Sequence, residues 1–188
     1  MTPPTPIPST RDLILDAATS IVRDQGAGKL TLDAAAKTAG LSKGGVLYHF
    51  KSKDELIGGM VRRMIDACEA LKNGHYAAEP EGPYRHARAV VRMTFDPQGP
   101  VCDPVGGALL AAVGINPGLM EPFHERFRQW LDEVASDSPN PALSALVCLA
   151  MDGYMFDSML KLPLYDDALL DQIRRQALDL LSPEKTEP

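Results

Sequence analysis

The stretch Leu41–Leu56, LSKGGVLYHFKSKDEL, contains two helix starts separated by one short helix. Ser42 and Ser52 are good N-caps, because a serine oxygen accepts a hydrogen bond from a free backbone N–H in the first turn. Glu55 stands three residues after Ser52 and completes a capping box. The pattern predicts a helix over residues 43–50, followed directly by a longer helix that begins at residue 53.

Another short helix precedes this stretch. Thr31 is a good N-cap for a helix over residues 32–39, and Gly40 ends that helix. The link AGLS, residues 39–42, is a tight turn that contains glycine. Two short helices joined in this way form a helix-turn-helix, which we predict here.

The chain begins with a segment that should be disordered and then a first helix. Residues 1–8 include four prolines, and we expect them to form a disordered arm. Ser9 and Asp12 then form a second capping box. Apolar residues recur every four positions from Leu13, which is typical of a helix with one apolar face. Gly26 ends this helix.

The helix over residues 43–50 has two distinct faces. Val46 and Phe50 are four residues apart, so we expect them to pack on the first helix. Two consecutive glycines in its first turn disfavour the helix by about 1 kcal/mol each. Either a partner approaches the backbone closely there, as DNA bases do in a helix-turn-helix, or the glycines ease the turn. The residues alone leave both interpretations open. The face opposite Val46 carries Lys43, Gly44, Gly45, Leu47, Tyr48 and His49.

The segment Thr31–Leu56 closely resembles the DNA-binding domain of the TetR (tetracycline-repressor-like) family. The shared features are Thr at the start of the second helix, Ala-Gly at the turn, Ser-Lys-Gly opening the third helix, Tyr-His-Phe at its end, and a Ser-Lys-acid start to the fourth. The resemblance extends from Ser9 to about Cys68. It implies a DNA-binding domain followed by a larger helical domain that binds a small effector and dimerises.

The resemblance also implies roles for single residues. Lys43 and Gly44 occupy positions where family members read bases, and Tyr48, His49 and Lys53 occupy positions that hold the phosphate backbone, as does Thr31. Free N–H groups at helix starts favour phosphate in general. The predicted DNA-binding residues are Thr31, Ser42, Lys43, Gly44, Gly45, Leu47, Tyr48, His49, Ser52 and Lys53.

Leu47 departs from the family pattern, because many members carry a DNA-contacting tyrosine at this position. A leucine has no hydroxyl to donate to a phosphate. Leu47 either packs on a thymine methyl in the major groove or belongs to the core, and we favour the core. Readout of the bases by the other residues is sparse, so we expect DNA shape to contribute to specificity.

Composition adds further expectations. The net charge of −6 is unevenly distributed: residues 1–67 carry nine basic and seven acidic residues, and the remainder carries ten and eighteen. Three widely spaced cysteines predict neither a disulfide framework nor a zinc site and favour a reducing cytoplasm. We expect no signal peptide and no membrane-spanning segment, because acidic and basic residues interrupt the longest apolar region.

The periodicity predicts an all-α protein of about nine helices, because no stretch alternates with the period of a strand. We predict a disordered arm (1–8), a helix-turn-helix DNA-binding domain (9–55), an effector-binding and dimerisation domain (56–182) and a tail (183–188). The predicted helices after the helix-turn-helix cover residues 53–73, which connect the domains, and 84–95, 104–115, 118–135, 141–162 and 166–181.

Dimerisation is predicted from the last two helices. The helix over residues 141–162 is apolar nearly all round, so it must be covered on both sides. Two helices from each subunit would form a four-helix interface, as in the family. The alternative is that both helices are internal to one subunit; we favour the dimer, which matches the symmetry of DNA half-sites. The predicted interface residues are Leu146, Leu149, Phe156, Leu170, Ile173, Ala177 and Leu181.

An effector pocket is predicted around an aromatic stripe on the helix over residues 118–135. A pocket lined in this way favours an apolar or aromatic ligand of unknown identity. The alternative for each of these residues is a place in an ordinary core. Asp152 and Asp157, with His124, are further candidate polar groups. The predicted pocket residues are Phe95, Cys102, Leu109, Val113, Met120, Phe123, Phe127, Trp130, Met151, Tyr154 and Met155.

The sequence predicts no enzyme, no cofactor and no metal site. No nucleophile-elbow, P-loop or dinucleotide motif is present, and no H-E-x-x-H appears. The leading hypothesis is a ligand-responsive repressor that binds a near-palindromic double-stranded DNA operator as a homodimer and is released by a small effector. The alternatives are an all-helical enzyme or a protein-binding adaptor that retains a helix-turn-helix.

Overall fold

The computed structural model describes residues 8–99, 105–107, 116–162 and 164–182. In these ranges every regular element is helical, which confirms the all-α prediction. Two short 3-10 helices, Ala27–Lys29 and Pro117–Met120, accompany the α-helices. Residues 105–107 are helical, and the rest of the predicted helix over 104–115 lies outside the described residues. The α-helices are α1 (Thr10–Gln25), α2 (Leu32–Ala39), α3 (Lys43–His49), α4 (Lys53–Ala78), α5 (Arg85–Thr94), α6 (Glu121–Ser136), α7 (Pro141–Met159) and α8 (Asp167–Leu180).

The predicted caps of the first three helices are confirmed. At α1, the Ser9 hydroxyl oxygen accepts from the Asp12 N–H at 3.1 Å, and the Asp12 carboxylate accepts from the Ser9 N–H at 3.3 Å. Thr31 caps α2, and Ser42 caps α3 by accepting from the Gly45 N–H at 3.1 Å. Gly40 ends α2 in the left-handed region, at φ 68°, which glycine adopts without strain.

The start of α4 differs in detail from the predicted box. Ser52 Oγ accepts from the Glu55 N–H at 3.0 Å, as predicted. The Glu55 carboxylate, however, accepts from the N–H of Lys51 at 2.8 Å instead of from that of Ser52. The carboxylate therefore joins the end of α3 to the start of α4.

The end of α4 was predicted wrongly, at about residue 73. The helix continues through the exposed Gly74 to Ala78. Its last turn is held by α5: the Arg85 guanidinium donates to the carbonyls of Tyr76 and Ala77, at 3.0 and 3.5 Å. The Tyr76 ring also stacks on His86, with 4.2 Å between centroids. These contacts join residues eight to ten positions apart, across the loop between the two helices, so the helical periodicity of α4 gives no sign of them.

Two other helix ends differ from the prediction. The predicted helix over 118–135 begins instead as a 3-10 turn capped by the Asn116 side chain, which accepts from the Gly118 N–H at 3.2 Å. Helix α7 ends at Met159 rather than residue 162, because Lys161 adopts a left-handed conformation with φ 56°.

The chain forms two compact units, which divide between Arg63 and Met64 within α4, beyond the domain boundary predicted at residues 55 and 56. The first unit also includes residues 116–121. Its core is formed by α1–α3 and the first turns of α4, with buried side chains such as Ile14, Val46 and Leu56. The second unit has its own core, made by Tyr84, Ala87, Val91, Val134, Val147, Cys148, Met151, Ala177 and Leu181.

By length and composition alone, α7 is apolar enough to cross a membrane, with a mean hydropathy of 1.2 over an 18-residue window. The expected interruption by acids, Asp152 and Asp157, does not exclude it on that criterion. A core helix in a protein that crosses no membrane meets the same criterion. Val147, Cys148 and Met151 of α7 are buried in the core of the second unit.

Candidate functional site

Helix α3 packs one face inside the first unit and exposes the other. Val46 and Phe50 are buried at 0% and 2%, which confirms their predicted role in the core. Tyr48 is 83% exposed, and its ring meets that of His49 edge-on at 5.1 Å. Leu47 is 38% exposed, so the core interpretation for this residue is wrong. It follows Val46 by one helical position and therefore turns away from the face that Val46 buries.

Among the described residues, nothing packs closely enough on the two glycines of α3 to require them. A Cβ atom at Gly44 would meet nothing nearer than Ser42 Oγ at 3.9 Å. At Gly45 the same oxygen would lie at 3.4 Å, an ordinary contact. Neither glycine has a positive φ. Their small size therefore leaves a strip of exposed backbone at the start of α3.

Lys43 forms an ion pair with Asp33, which is not among the predicted DNA-binding residues. Its Nζ lies 3.0 Å from Oδ1 of Asp33 in α2, and both side chains are well exposed. The sequence offered a signal for this pair, because Asp33 lies in the first turn of α2, two residues after the N-cap Thr31. The pair places the lysine beside the turn when no DNA is bound.

The remaining predicted residues flank this surface. Thr31, Ser42 and Ser52 lie at the starts of α2, α3 and α4, and all three are exposed. The Lys53 ammonium donates to the carbonyl of Ala27 at 3.2 Å, which ties α4 to the 3-10 turn after α1. All ten predicted residues belong to the first unit, and eight are exposed while Gly45 and His49 are half-buried.

The second unit contains an apolar cavity of about 70 Å³. Four helices line it, with sulfur-containing and aromatic side chains prominent. The lining residues are Met64, Ile65, Cys68 and Lys72 from α4; Val90, Met93 and Thr94 from α5; Phe123, Phe127, Trp130, Leu131 and Val134 from α6; and Cys148, Asp152, Met155 and Met159 from α7.

The cavity agrees with the predicted pocket only in part. Of the predicted residues, Phe123, Phe127, Trp130 and Met155 line it. Phe95, Met151 and Tyr154 do not line it. Met151 belongs to the core, and the Phe95 and Tyr154 rings stack on each other at 5.3 Å. Met120 belongs to the first unit, and Cys102, Leu109 and Val113 lie outside the described residues.

The contribution of α4 to the cavity was missed. Met64 and Cys68 form one edge of an apolar stripe on this helix, and Ile65 lies on the other edge, but the predicted role of the helix is only to connect the domains. Its continuation beyond the first unit was the available signal, because an apolar face needs a partner along its whole length. Lys72 gave no such signal, since a lysine is rarely buried.

Buried charges near the cavity are mostly paired. Lys72 is 2% exposed and forms an ion pair with Glu133 of α6. Glu133 also accepts from Arg126, which in turn pairs with Glu69. The Lys72 ammonium lies 5.6 Å from the centroid of the Trp130 ring, within the range of a cation–π contact.

Asp152 and Cys148 are the acidic groups that α7 contributes to the cavity lining. Burial raises the pKa of the Asp152 carboxyl to about 6. Burial first, and then the nearby Asp152 charge, raise the pKa of the Cys148 thiol to about 12. Cys148 is therefore a neutral thiol at physiological pH, and Asp152 is ionised above about pH 6.

The predicted interface residues fall into two groups. Leu146, Leu149 and Phe156 of α7 are exposed at 63%, 67% and 50%. On α8, the predicted stripe faces inward instead: Ala177 and Leu181 are buried in the core of their own unit, and Ile173 packs against it, while Leu170 is half-buried. The stripe that the periodicity revealed is thus the face that α8 packs on its own subunit.

An open groove of about 400 Å³ runs between α7 and α8. Its rim includes Leu146 and, from α8, Leu169 and Leu180, which are exposed at 43% and 40%. Within the described residues, no group of three or more His, Cys, Asp or Glu side chains is placed to hold a metal ion.

An exposed helix-turn-helix on the same chain as a helical unit with an apolar cavity defines a helix-turn-helix regulator. Two family profiles agree: "Bacterial regulatory proteins, tetR family" matches residues 14–60, and "Tetracyclin repressor-like, C-terminal domain" matches residues 84–182. The chain belongs to the TetR family of DNA-binding transcriptional regulators, which is not a family of enzymes.

Curated relatives match just under half of the chain. It is 31% identical over 86 residues to the HTH-type transcriptional regulator BetI of Burkholderia thailandensis, and the match covers 46% of this chain and 44% of that protein. BetI of Rhizobium meliloti is 31% identical over 93 residues, which cover 47% and 43% of the two chains. The chain thus matches less than half the length of these relatives.

Solved structures resemble the whole fold. A TetR family member from Streptomyces coelicolor A3 aligns with a TM-score of 0.69 and 21% identity, over 93% of this chain and 99% of that one. The multidrug binding protein EbrR, complexed with ethidium, aligns with a TM-score of 0.66 and 19% identity, over 93% and 99%. At these identities the likeness shows the fold.

Proposed function

We propose that the protein is a repressor that binds a near-palindromic operator as a homodimer and is released by a small apolar or aromatic effector. The observation that carries the proposal is the exposed face of α3. Lys43, Tyr48 and Leu47 project from a helix whose first-turn glycines serve no internal packing. In a helix-turn-helix such a face enters the major groove, where the bare backbone of Gly44 and Gly45 permits close approach.

Different residues read the bases and bind the phosphates in this proposal. Lys43 and Leu47 lie on the exposed part of α3, where a lysine bonds guanine edges and a leucine packs on thymine methyls. Tyr48, His49, Lys53 and the starts of α2 and α4 hold phosphates. Because the net charge of the protein is −6, only these local groups attract the DNA phosphates. We therefore expect weak non-specific DNA binding and an affinity that depends strongly on salt.

The homodimer is supported by the uncovered apolar face of α7. Leu146, Leu149 and Phe156 are each at least half exposed in one subunit, and a contiguous apolar surface of this kind usually marks an interface. A twofold interface would use the same face of both copies. It would also place two α3 helices on the two half-sites of a palindrome.

Effector binding is supported by the cavity of the second unit. Its lining of methionine and aromatic side chains suits an adaptable apolar site. EbrR, whose fold is similar, has been solved with imidazole, ethidium and malachite green. The effector would bind the released conformation more tightly than the DNA-bound one, because only differential affinity shifts the equilibrium. The protein would act in the cytoplasm.

The proposal is tested by selecting bound fragments from a random duplex DNA pool at fixed physiological salt. Wild type should enrich an inverted repeat, and Lys43→Ala/Tyr48→Ala should not. Lys161→Ala/Tyr165→Ala is the matched control, because it removes another exposed Lys and Tyr from the second unit; it should enrich the same repeat. If wild type enriches nothing, even after unfolding and refolding to remove bound ligand, the proposal fails.

A further inference from the structure

Among the described residues that line the cavity of the second unit, Asp152 is a charged group without an ion-pair partner. Within the described residues, the Asp152 carboxylate has no hydrogen bond and no ion pair, although it lines a cavity that is otherwise almost entirely apolar. Burial alone raises the pKa of this carboxyl to about 6. At physiological pH the half-buried carboxyl group is ionised, and an unpaired charge that is partly removed from water is unfavourable.

The other charged group on the cavity wall is already neutralised. Lys72 is 2% exposed and is paired with Glu133, above the Trp130 ring. Glu133 and Glu69 together balance Lys72 and Arg126. An anionic ligand would have to displace Glu133 to reach Lys72, whereas a cationic ligand would find Asp152 without a competitor.

Aromatic side chains supply the second part of a cation site. Phe123 and Phe127 line the same cavity and stack on each other, with 5.4 Å between ring centroids and 17° between planes. The face of an aromatic ring attracts a cation and also packs against its apolar substituents. The Trp130 ring is already in contact with Lys72 and Arg126, so the phenylalanines are the available rings.

We propose that this cavity binds a small organic cation, such as a quaternary ammonium, with Asp152 as its counter-ion and with its apolar groups packed against Phe123 and Phe127. The proposal rests on the assignment of the cavity as the effector site and names the chemical class of the effector. One water needs about 10–15 Å³ on the same volume measure, so about 70 Å³ admits roughly five to seven non-hydrogen atoms before the walls move.

The test uses three probes of similar shape and different charge: tetramethylammonium, neutral tert-butanol and anionic trimethylacetate. Trp130 is the only tryptophan of the chain and lies in the cavity wall, so its fluorescence reports binding at this site. The cation should bind at least about ten-fold more tightly than the other two. A bound cation that lowers the pKa of Asp152 by one unit corresponds to a ten-fold gain in affinity. Calorimetry should give the same order.

Two variants identify the counter-ion. Asp152→Asn keeps the shape of the side chain and should abolish the preference for the cation. Asp157→Asn removes a carboxylate from the same helix that does not line the cavity, and it should keep the preference. The proposal is overturned if tert-butanol or trimethylacetate binds as tightly as the cation, if no Asp152-dependent binding of the cation occurs, or if Asp152→Asn retains the preference.

Release of DNA is measured separately, with the selected operator. Cation binding that depends on Asp152 but leaves operator affinity unchanged would support the site and contradict the effector role. Release by tert-butanol with no preference for the cation would support the effector role and overturn the cation site. Different results would therefore contradict the effector role of the cavity and its preference for a cation.

Discussion

Lys43 and Asp33 form an ion pair across the helix-turn-helix, with 3.0 Å between Nζ and Oδ1. Lys43 is the residue proposed to read bases, so it must leave Asp33 or share its charge when DNA binds. The side chains are 61% and 66% exposed, and such pairs are weak. The pair therefore lowers DNA affinity modestly and does not prevent binding.

Asp33→Asn should strengthen operator binding. The change frees Lys43 and removes a negative charge beside the proposed DNA surface, and we expect a gain of about two- to five-fold, the range for an exposed ion pair. Fluorescence anisotropy at one fixed salt concentration measures it. Asp132→Asn, an exposed position on α6, makes the same change in net charge and should leave affinity unchanged. Equal affinities for the two variants would contradict the proposed competition.

Leu47 makes a prediction about single thymines in the operator. If its side chain packs on a thymine methyl, replacing that thymine with deoxyuridine should weaken binding by wild type and have no further effect on Leu47→Ala. Operators substituted at one thymine at a time would locate the contact. Leu13→Ala, an α1 position that is 40% exposed, is the control and should keep the wild-type response. Additive effects of Leu47→Ala and every deoxyuridine would rule out the contact.

Much of the first unit was predictable, because its helix boundaries are determined by residues close to each boundary in the sequence. Ser9, Thr31 and Ser42 accept hydrogen bonds from N–H groups three residues on, and Gly40 marks the end of α2 through its own backbone conformation. Such signals lie within one turn of the residue that carries them. The face buried by Val46 and Phe50 follows from helical spacing in the same way.

The features that the sequence did not predict depend on contacts between different helices. Arg85 donates hydrogen bonds to carbonyls in the last turn of α4. Glu133 forms an ion pair with the buried Lys72, sixty-one positions away in the sequence, and so offsets the cost of burying the lysine. For α8, periodicity revealed an apolar stripe but not which neighbour covers it. Helical spacing also leaves the position of Leu47 open, because a residue at the edge of the apolar face can lie either in the core or on the surface.

Two glycines of α4 should respond to alanine in opposite ways. A Cβ at Gly59 would lie 2.7 Å from the buried Phe50 ring and 3.2 Å from Leu15; overpacking of this kind costs about 1–3 kcal/mol, more than the gain of about 1 kcal/mol in helix propensity. A Cβ at Gly74 would meet no atom of the described residues within 4 Å, so Gly74→Ala should stabilise the fold by about 0.5–1 kcal/mol.

Urea unfolding at one protein concentration measures both changes. Because Phe50 ends α3, Gly59→Ala should also weaken operator binding, whereas Gly74→Ala should not. A stabilising Gly59→Ala would show that the Phe50 ring moves aside freely and would contradict the close packing described here.

The proposed dimer makes a prediction about α7. Leu149 is 67% exposed in one subunit, and Leu149→Glu would bury an unpaired carboxylate twice in a twofold interface. The dimer dissociation constant should rise by about a hundred-fold or more, a change of roughly 3 kcal/mol, and operator binding should weaken with it. Sedimentation equilibrium measures the change. Leu13→Glu, on α1 of the first unit, should leave the dimer intact, and an unchanged mass for Leu149→Glu would place the interface elsewhere.

Asp152 should make the ligand-free protein less stable as pH rises. Its folded-state pKa of about 6 lies above the ordinary value of 3.8, so the folded chain holds this proton more tightly than the unfolded chain does. Between those two pH values the unfolded state loses its proton first, and stability falls as pH rises. The titratable groups that share the cavity wall are Cys68, Lys72 and Cys148, and none of them supplies a free cation.

Asp152→Asn should therefore be more stable than wild type well above pH 6, and the advantage should disappear below pH 3.8, where the wild-type carboxyl is protonated in both states. The free energy of unfolding in urea, measured across this range at one protein concentration, checks the sign. Asp157→Asn is the matched control on the same helix. A difference between Asp152→Asn and wild type that does not change with pH would show that the carboxyl is not held in an unfavourable charged state. The pH-dependent advantage should also shrink when tetramethylammonium is present, because a bound cation stabilises the ionised carboxylate of the wild type alone.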